Sequence, residues 1–407
     1  MRPIAVTGLG IVSPIGIGRQ DFWEALCAGR SGIRARPNVA AGLPRLAAAL
    51  PTFAARDFIR SPHLRRADPV SRTIVAAARL ALADAQLTPE SIGPERLGIT
   101  VGSVLGDINE SVEYLRRLFT KGAALVSPMM FPNLVLNAAA SYTAMELGCT
   151  GANLTVSQGE LSGEQAIAVG CDLIRAQRAD VVLAGGGDTL SDVVTATYRR
   201  FRALSGQRGG TEWSSPYDAH RNGVVLGEGG AMLVLESTDA ARARGATIYA
   251  EIVDHCSFGV AAPPYAWPRR AAAAAPRLRA FLERTLPAPA GVDLVCGSAN
   301  SSRRLDGCEV DLLTRVFGEA AAGVALTSIK GAIGEFGAAG ALTAVAACLA
   351  VHHRVVPPLC NFRRPDDGAP FRFAQRTAES RRIEQALILG IARGGATVAM
   401  HVRRAGE

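Results

Sequence analysis

The sequence has no CxxC pair and no cysteine spaced from a histidine as a metal site requires. Its eight cysteines, at positions 27, 149, 171, 256, 296, 308, 348 and 360, lie mostly inside apolar runs. They read as buried free thiols in a reducing compartment rather than as disulfides or metal ligands. Long apolar stretches are missing too. The opening MRPIAVTGLGIVS is too short in its apolar part for a secretory leader and runs straight into Gly and Pro. No later segment is long and apolar enough for a bilayer, so the expectation is a soluble cytoplasmic protein with no membrane partner. A GxGxxG loop is absent: the glycines of Gly185 to Asp188 (GGGD) follow a strand without that spacing, and neither a dinucleotide nor a metal cofactor is expected. The chain also lacks a concentrated basic run. Its net charge is +8 and its pI near 9.3, but the arginines that supply most of this are spread in pairs such as Arg116-Arg117, Arg199-Arg200, Arg303-Arg304 and Arg403-Arg404. That distribution argues against nucleic-acid binding and leaves either a surface that attracts an acidic partner or ordinary solvated charge.

What is present is apolar and small. Of 407 residues 48% are apolar, 20% charged and only 5% aromatic, with 43 glycines, a balance that suits an α/β protein whose elements pack closely. Periodicity predicts strands at Ile4 to Thr7, Leu97 to Val101, Leu154 to Ser157, Asp180 to Ala184, Val224 to Glu236 and Ile248 to Val253. Helices are expected over Asp21 to Ala28, Ser71 to Gln86, Ile108 to Phe119, Asn133 to Leu147 and Leu161 to Gln177, the last apolar on nearly every face and so enclosed by protein. The second half repeats this grammar. It offers helices at Ala271 to Thr285, after Asp306 and at Ala338 to Val351, with strands at Val292 to Cys296, Val324 to Ser328, Gln385 to Leu389 and Thr397 to Arg403. Two halves of alternating strands and helices suggest a duplicated α/β fold with a mixed sheet in each, divided as residues 1–245 and 246–407.

One segment carries most of the functional signal. Residues 155–188 read as strand, sharp turn, buried helix and strand, with Glu160 at the turn where a nucleophile belongs and Ser162-Gly163 two residues beyond. This turn resembles the nucleophile elbow of the β-ketoacyl synthases, in which a cysteine stands two residues before a Ser-Gly pair. Three further stretches carry the same resemblance in the same order: TGLGIVSPIG with FWEALCAGRSGI, PYDAHRNGVVLGEGGAMLVLE, and GAAGALTAVAACLAVHHRVVPP. The resemblance implies a thiolase-like five-layered αβαβα fold of two similar halves with mixed β-sheets, dimerising through the strand around Asp180 to Ala184.

Family chemistry needs a cysteine nucleophile, two histidines and an ordering lysine. The resemblance puts Glu160 in the cysteine's place and Ser298 in the first histidine's, with Ala299 and Asn300 following and Asp306 and Glu309 retained downstream. Lys330 keeps the lysine position, Glu335 stands for the second histidine, and Arg393 replaces a gate phenylalanine whose backbone N–H completes an oxyanion hole. None of the histidines at 63, 220, 255, 352, 353 and 401 falls at either catalytic position. A carboxylate cannot carry a thioester, so the resemblance is to a condensing enzyme that cannot condense. It is similar to the chain length factor, the non-catalytic partner of type II polyketide ketosynthases, although a glutamine is common there and Glu160 departs from it. The implied role is to pair with a catalytic ketosynthase, to meet acyl carrier protein through that complex, and to shape the acyl tunnel with Met129, Met130 and Phe131. Asn137 matches a family asparagine with a structural role.

Two readings of the site stay open at this level. Glu160 and Glu335 could share a proton as an acid–base pair in a stand-alone decarboxylase or hydrolase of carrier-bound acyl groups. Alternatively, Lys330 and Arg393 neutralise both carboxylates in a structural ion-pair cluster, with Ser298 only filling space.

Overall fold

The computed structural model describes residues 2–37, 39, 42–51, 53–268, 271–286, 291–366 and 368–406. The N-terminal half supplies strands β1 (Ile4–Ser13), β2 (Leu97–Gly102), β3 (Asn153–Val156), β4 (Val181–Asp188) and β5 (Gly229–Ser237). The C-terminal half supplies β6 (Ala250–Gly259), β7 (Leu294–Cys296), β8 (Ala325–Thr327), β9 (Gln385–Ile391) and β10 (Ala396–Arg403). Their spatial order is β8-β7-β9-β10-β6-β1-β5-β4-β2-β3. Read outward from the centre, each half runs first, fifth, fourth, second, third. In each half the inner pairings are antiparallel and the outer two parallel. Sequence similarity between the halves is weak, yet the topology repeats. The two mixed half-sheets are also joined, because Ile4 to Val6 pairs with Ala250 to Ile252, and with the short strand Gly16–Ile17 beside β1 they make one 11-stranded sheet.

Helices complete five layers. Helix α1 (Pro69–Asp84) and α2 (Ala138–Leu147) cover the outer face of the first half-sheet, α3 (Ser162–Arg175) and α6 (Gly340–His353) pack against each other between the half-sheets, and α4 (Ala271–Thr285) and α5 (Arg303–Phe317) cover the second. The α6 sequence, GALTAVAACLAVHH, is apolar all round, and its residues from Gly340 to Val351 are buried, as an enclosed helix requires. Helix α1 starts on Asp68, whose side chain accepts from the Ser71 backbone N–H at 2.8 Å, with Pro69 at the first helical position. Close packing of the inner layers depends on glycine. A Cβ on Gly163 of α3 would lie 2.6 Å from the Ala341 nitrogen, and one on Gly102 of β2 only 2.1 Å from the Ser162 carbonyl oxygen.

Four expectations are corrected. Strand β4 lies between β2 and β5 and is buried throughout, so the segment around Asp180 to Ala184 presents no edge through which to dimerise; the free edge is β3, paired only with β2. The helix expected over Asn133 to Leu147 is broken: a 3-10 stretch ends at Asn133 and α2 starts at Ala138, because the Asn133 side chain is engaged tertiarily, donating to the Arg66 carbonyl at 2.8 Å and accepting from Tyr142. Helix α3 is enclosed on most of its length, but Asp172 in its last turns is exposed and meets His255 at 3.0 Å. The strand expected from Val224 begins only at Gly229, since Val224 and Leu226 make isolated bridges to Leu204 and Glu335 instead. A helix at Asp192–Arg200 was not anticipated. Its β-branched residues disguise it, and the Ser191 side chain caps it by accepting from the Val193 N–H at 3.2 Å. Among the described residues no helix is long and apolar enough to cross a membrane.

Replacing Gly163 by Ala forces the α3 and α6 backbones apart, and we expect a loss of about 1–3 kcal/mol in urea unfolding. Gly323→Ala, where a Cβ meets nothing within 4 Å, should stay within about 0.5 kcal/mol of the parent; equal losses in the two variants would contradict the packing argument.

Candidate active site

The elbow forms where β3 turns into α3. Gly159 takes φ 54°, a left-handed conformation that suits glycine, and Ser162 locks the turn: its hydroxyl donates to the Gly159 carbonyl at 2.8 Å and accepts from the Gln158 N–H at 2.9 Å. Glu160 projects from this turn into a cavity of about 160 Å³ that Glu335 also lines, with Tyr198, Asp188 and Phe336.

Each carboxylate has its own cation. Glu160 Oε1 forms a short ion pair with Arg393 Nη1, and Glu160 Oε2 accepts from the Arg393 backbone N–H at 3.3 Å. The guanidinium also donates to the Tyr198 hydroxyl at 3.0 Å and lies between two rings, 4.8 Å from the Tyr198 centroid and 4.5 Å from that of Trp267. Such a sandwich adds cation–π attraction to the ion pair. The backbone N–H that the resemblance assigns to an oxyanion hole is therefore spent on Glu160.

Glu335 is held deeper. Its carboxylate takes both Lys330 Nζ contacts, at 3.1 and 3.0 Å, and accepts from Asn300 Nδ2 at 2.8 Å. Its backbone is clamped against the Val225 to Gly227 segment, with Glu335 N–H donating to Val225 at 2.9 Å and Gly227 N–H donating back at 3.0 Å. Burial works to lower the Lys330 pKa, but Glu335 and Glu164 beside it outweigh that and keep it above its ordinary value. Lys330 is one of two lysines in the chain, the other being Lys121, so its place here is not compositional chance.

The loop at 298–300 is more than filler. Glu309 accepts from the Ser298 N–H at 2.8 Å, the Ser298 hydroxyl at 3.0 Å, the Ala299 N–H at 3.0 Å and the Tyr217 hydroxyl at 2.7 Å. Asp306 accepts from the Asn300 N–H at 3.0 Å and the Tyr217 N–H at 2.9 Å, and burial raises its pKa to about 7. Ser298 in turn accepts from the Ile391 N–H at 3.2 Å. It is a hydrogen-bonded node with no imidazole in reach among these contacts.

Of the residues singled out in the sequence, the structure brings Glu160, Arg393, Glu335, Lys330 and Ser298 into one region and leaves Met129, Met130 and Phe131 outside it. Those three belong to the Pro128–Asn133 stretch; Met129 and Phe131 are each 59% exposed, and Met130 has its sulfur 3.7 Å from Arg117 Nη1. Asn137 donates to the Ser141 hydroxyl at 3.3 Å at the start of α2. Sequence reasoning missed Tyr198, Trp267 and Glu164. Glu164 is buried on α3 with Oε2 unpartnered, fitted against Gly340 and Gly390, where a Cβ would come within 1.8 and 2.8 Å of its carboxylate. Burial pushes its pKa from 4.5 up to about 7. An acid one helical turn beyond Glu160 in an apolar run was a signal available in the sequence.

The family description "Beta-ketoacyl synthase, N-terminal domain" matches residues 1–241, and "Beta-ketoacyl synthase, C-terminal domain" matches residues 249–363. The chain is similar to the 3-oxoacyl-[acyl-carrier-protein] synthase 2 of Rhizobium meliloti (strain 1021), 32% identical with 99% of each chain covered. Among solved structures it is similar to the ishigamide ketosynthase/chain length factor, with TM-score 0.92, 28% identity and 100% of each chain covered. It is also similar to a chain of a solved structure described as a type II polyketide synthase acyl-carrier protein in complex with its ketosynthase bound to the hexaketide, with TM-score 0.89, 27% identity and 99% and 100% covered. These likenesses bear out the thiolase-like fold.

Two outcomes test the electrostatics. A carboxyl whose pKa rises from 4.5 to about 7 on folding stabilises the fold fully below 4.5 and loses that contribution as pH rises through 7. Between pH 5 and 8, urea unfolding should therefore shift in favour of Glu164→Gln over the parent by about 2–3 kcal/mol; a constant gap would contradict a neutral Glu164. Separately, Glu335→Ala leaves Lys330 buried without its carboxylate and should cost about 3–5 kcal/mol, whereas Lys330→Met with Glu335→Leu should cost less than the single change, as measured by the same unfolding curves.

Proposed function

This chain belongs to the β-ketoacyl synthase family, and from that premise we propose that it is a catalytically silent subunit of the chain length factor kind. It pairs with an active ketosynthase and shapes the acyl tunnel in type II polyketide or polyene biosynthesis. The observation that carries this reading is the state of the elbow: the residue in the nucleophile's position is a carboxylate already bound to Arg393. Acyl transfer needs an activated nucleophile and a base to serve it. Here the family's histidine positions hold Ser298, tied to Glu309, and Glu335, tied to Lys330.

The surface supports a partner. Helix Ile108–Lys121 has no buried residue although it is strongly amphipathic. Its Leu115 and Phe119, the latter 81% exposed, are open to solvent, as are Leu125, Met129 and Phe131 in the stretches that pack against this helix, and so is the free-edge residue Leu154. Exposed apolar side chains in such number, together with an unpaired strand edge, are features of a protein interface. A ketosynthase subunit covering that face would bring Met129, Met130 and Phe131 near its own acyl tunnel, where flexible methionine can set how far a chain extends. The solved relatives described as a ketosynthase/chain length factor and as a carrier protein with its ketosynthase lend this reading its biochemical setting, with the acyl carrier protein reached through the complex and no resident cofactor.

A stand-alone decarboxylase or hydrolase using Glu160 and Glu335 as acid and base is the competing reading. It loses ground because each carboxylate is matched to its own cation instead of sharing a proton with the other.

Co-expression with a ketosynthase that has an intact Cys-His-His set should give a stable heterodimer that makes product, while the chain alone turns over no malonyl-carrier. Met130→Trp should shorten the product and Met130→Ala lengthen or broaden it, read by mass spectrometry of the released chains. Turnover by the isolated chain that Glu160→Gln abolishes, or unchanged products in both Met130 variants, would overturn the proposal.

A further inference from the structure

Tyr198 lines two spaces. On its inner side is the cavity of about 160 Å³ that holds Glu160 and Glu335. On its outer side a surface groove of about 1380 Å³ runs between the helix Asp192–Arg200 and residues 260–268, and its lining includes Arg202, Arg208, Arg303 and Arg304. Among the described residues no aspartate or glutamate lines that groove, so its field favours an anionic ligand. Arg393 lines the groove and Glu160 lines the cavity, and the ion pair between them stands on the boundary.

We infer that the Glu160–Arg393 pair is a stopper that closes the elbow cavity to the arginine-lined groove, so that an acyl thioester on a phosphate-bearing carrier arm cannot reach residue 160 from that side. This rests on the silent-subunit reading but concerns access rather than chemistry. The stopper is fixed at both ends. At its tip, the guanidinium is held by the carboxylate, the Tyr198 hydroxyl at 3.0 Å and the faces of Tyr198 and Trp267. At its root, the turn is built on Gly394 and Gly395 at φ 81° and 86°, and Gly395 approaches residue 260 so closely that a Cβ would fall 1.7 Å from the Val260 carbonyl oxygen. Arg393 N–H donates back to Glu160, and Val260 N–H donates to Gly395 at 2.9 Å. The turn therefore has little room to swing, and its side chain cannot leave without abandoning a charge pair only 19% and 12% exposed. Separating a pair this buried strands both charges in low dielectric.

A cysteine introduced at position 160 reports access. In the full chain carrying Glu160→Cys, the introduced thiolate displaces chloride from chloroacetyl-phosphopantetheine, forming one S–C bond and releasing Cl⁻. Peptide mass spectrometry then follows the modified residue, and iodoacetamide gives the reference rate for a small reagent. Glu160→Cys removes the carboxylate, so the labelling tests the Arg393 half of the stopper, whose contacts with the rings and the Tyr198 hydroxyl do not involve residue 160. Adding Arg393→Ala should raise the phosphopantetheine rate relative to the iodoacetamide rate by about ten-fold or more. Trp267→Ala, which removes one wall of the sandwich, should raise it by a smaller factor and serves if the first variant fails to fold. Unchanged ratios in the folded variants would overturn the stopper. Malonyl-carrier turnover by the unmodified chain would instead sink the silent-subunit reading and leave the labelling ratio to judge the stopper by itself.

Discussion

A carboxylate placed at the mouth of a buried helix must find a cation, and that requirement organises the whole site. Glu160 stands where the α3 N-terminus already favours negative charge, and Arg393 from the distant C-terminal turn completes its neutralisation. A second demand of the same kind lies a few residues deeper, where Lys330 holds Glu335 and Asn300 supplies the remaining hydrogen bond. Between the two pairs, Glu164 has no cation of its own and keeps its proton until the pH nears 7. Charge in the pocket is thus held down by two ion pairs and by burial, which raises the pKa of Glu164 to about 7 and that of Asp188, lining the same cavity, to about 6. Removing one partner of either ion pair strands the charge of the other, which distinguishes this arrangement from a catalytic pair tuned to exchange a proton.

The fold delivers these groups from opposite halves. Glu160 and Glu164 come with α3 from the first half, whereas Lys330, Glu335 and Arg393 come from the turns after β8 and β9 in the second. They meet because α3 and α6 form the shared middle layer, and that layer is thin only because glycines at 102, 163, 340 and 390 let backbones and the Glu164 carboxylate come close. The repeated strand order means that each half contributes its corresponding inner helix to one core. The Lys330–Glu335 pair belongs wholly to the second half, whereas the Glu160–Arg393 pair joins the two, so the complete site needs both halves.

Much of this was legible in the sequence, and what was not has identifiable causes. The elbow turn, the largely enclosed α3, the existence of α6 and the residues at 160, 298, 330, 335 and 393 could be read because glycine punctuation and apolar periodicity are local. That Arg393 holds Glu160 and Lys330 holds Glu335 was one of two arrangements the sequence left open, and the choice depends on where a turn more than two hundred residues away returns. Tyr198 and Trp267 went unseen for the same reason, compounded by a helix at Asp192–Arg200 whose valines and threonines read as extended chain. The dimerising strand was taken from the resemblance rather than from the residues, and only the strand pairing reveals that β4 is interior and β3 the edge.

The account stands on the elbow being electrostatically satisfied and chemically inert. The most direct measurement is intact and peptide mass spectrometry of the complex with a ketosynthase after brief exposure to an acyl-carrier thioester. The acyl mass should appear on the partner's cysteine alone, with the peptide containing Glu160 unmodified. An acyl group recovered on residue 160 or elsewhere on this chain's elbow would contradict it.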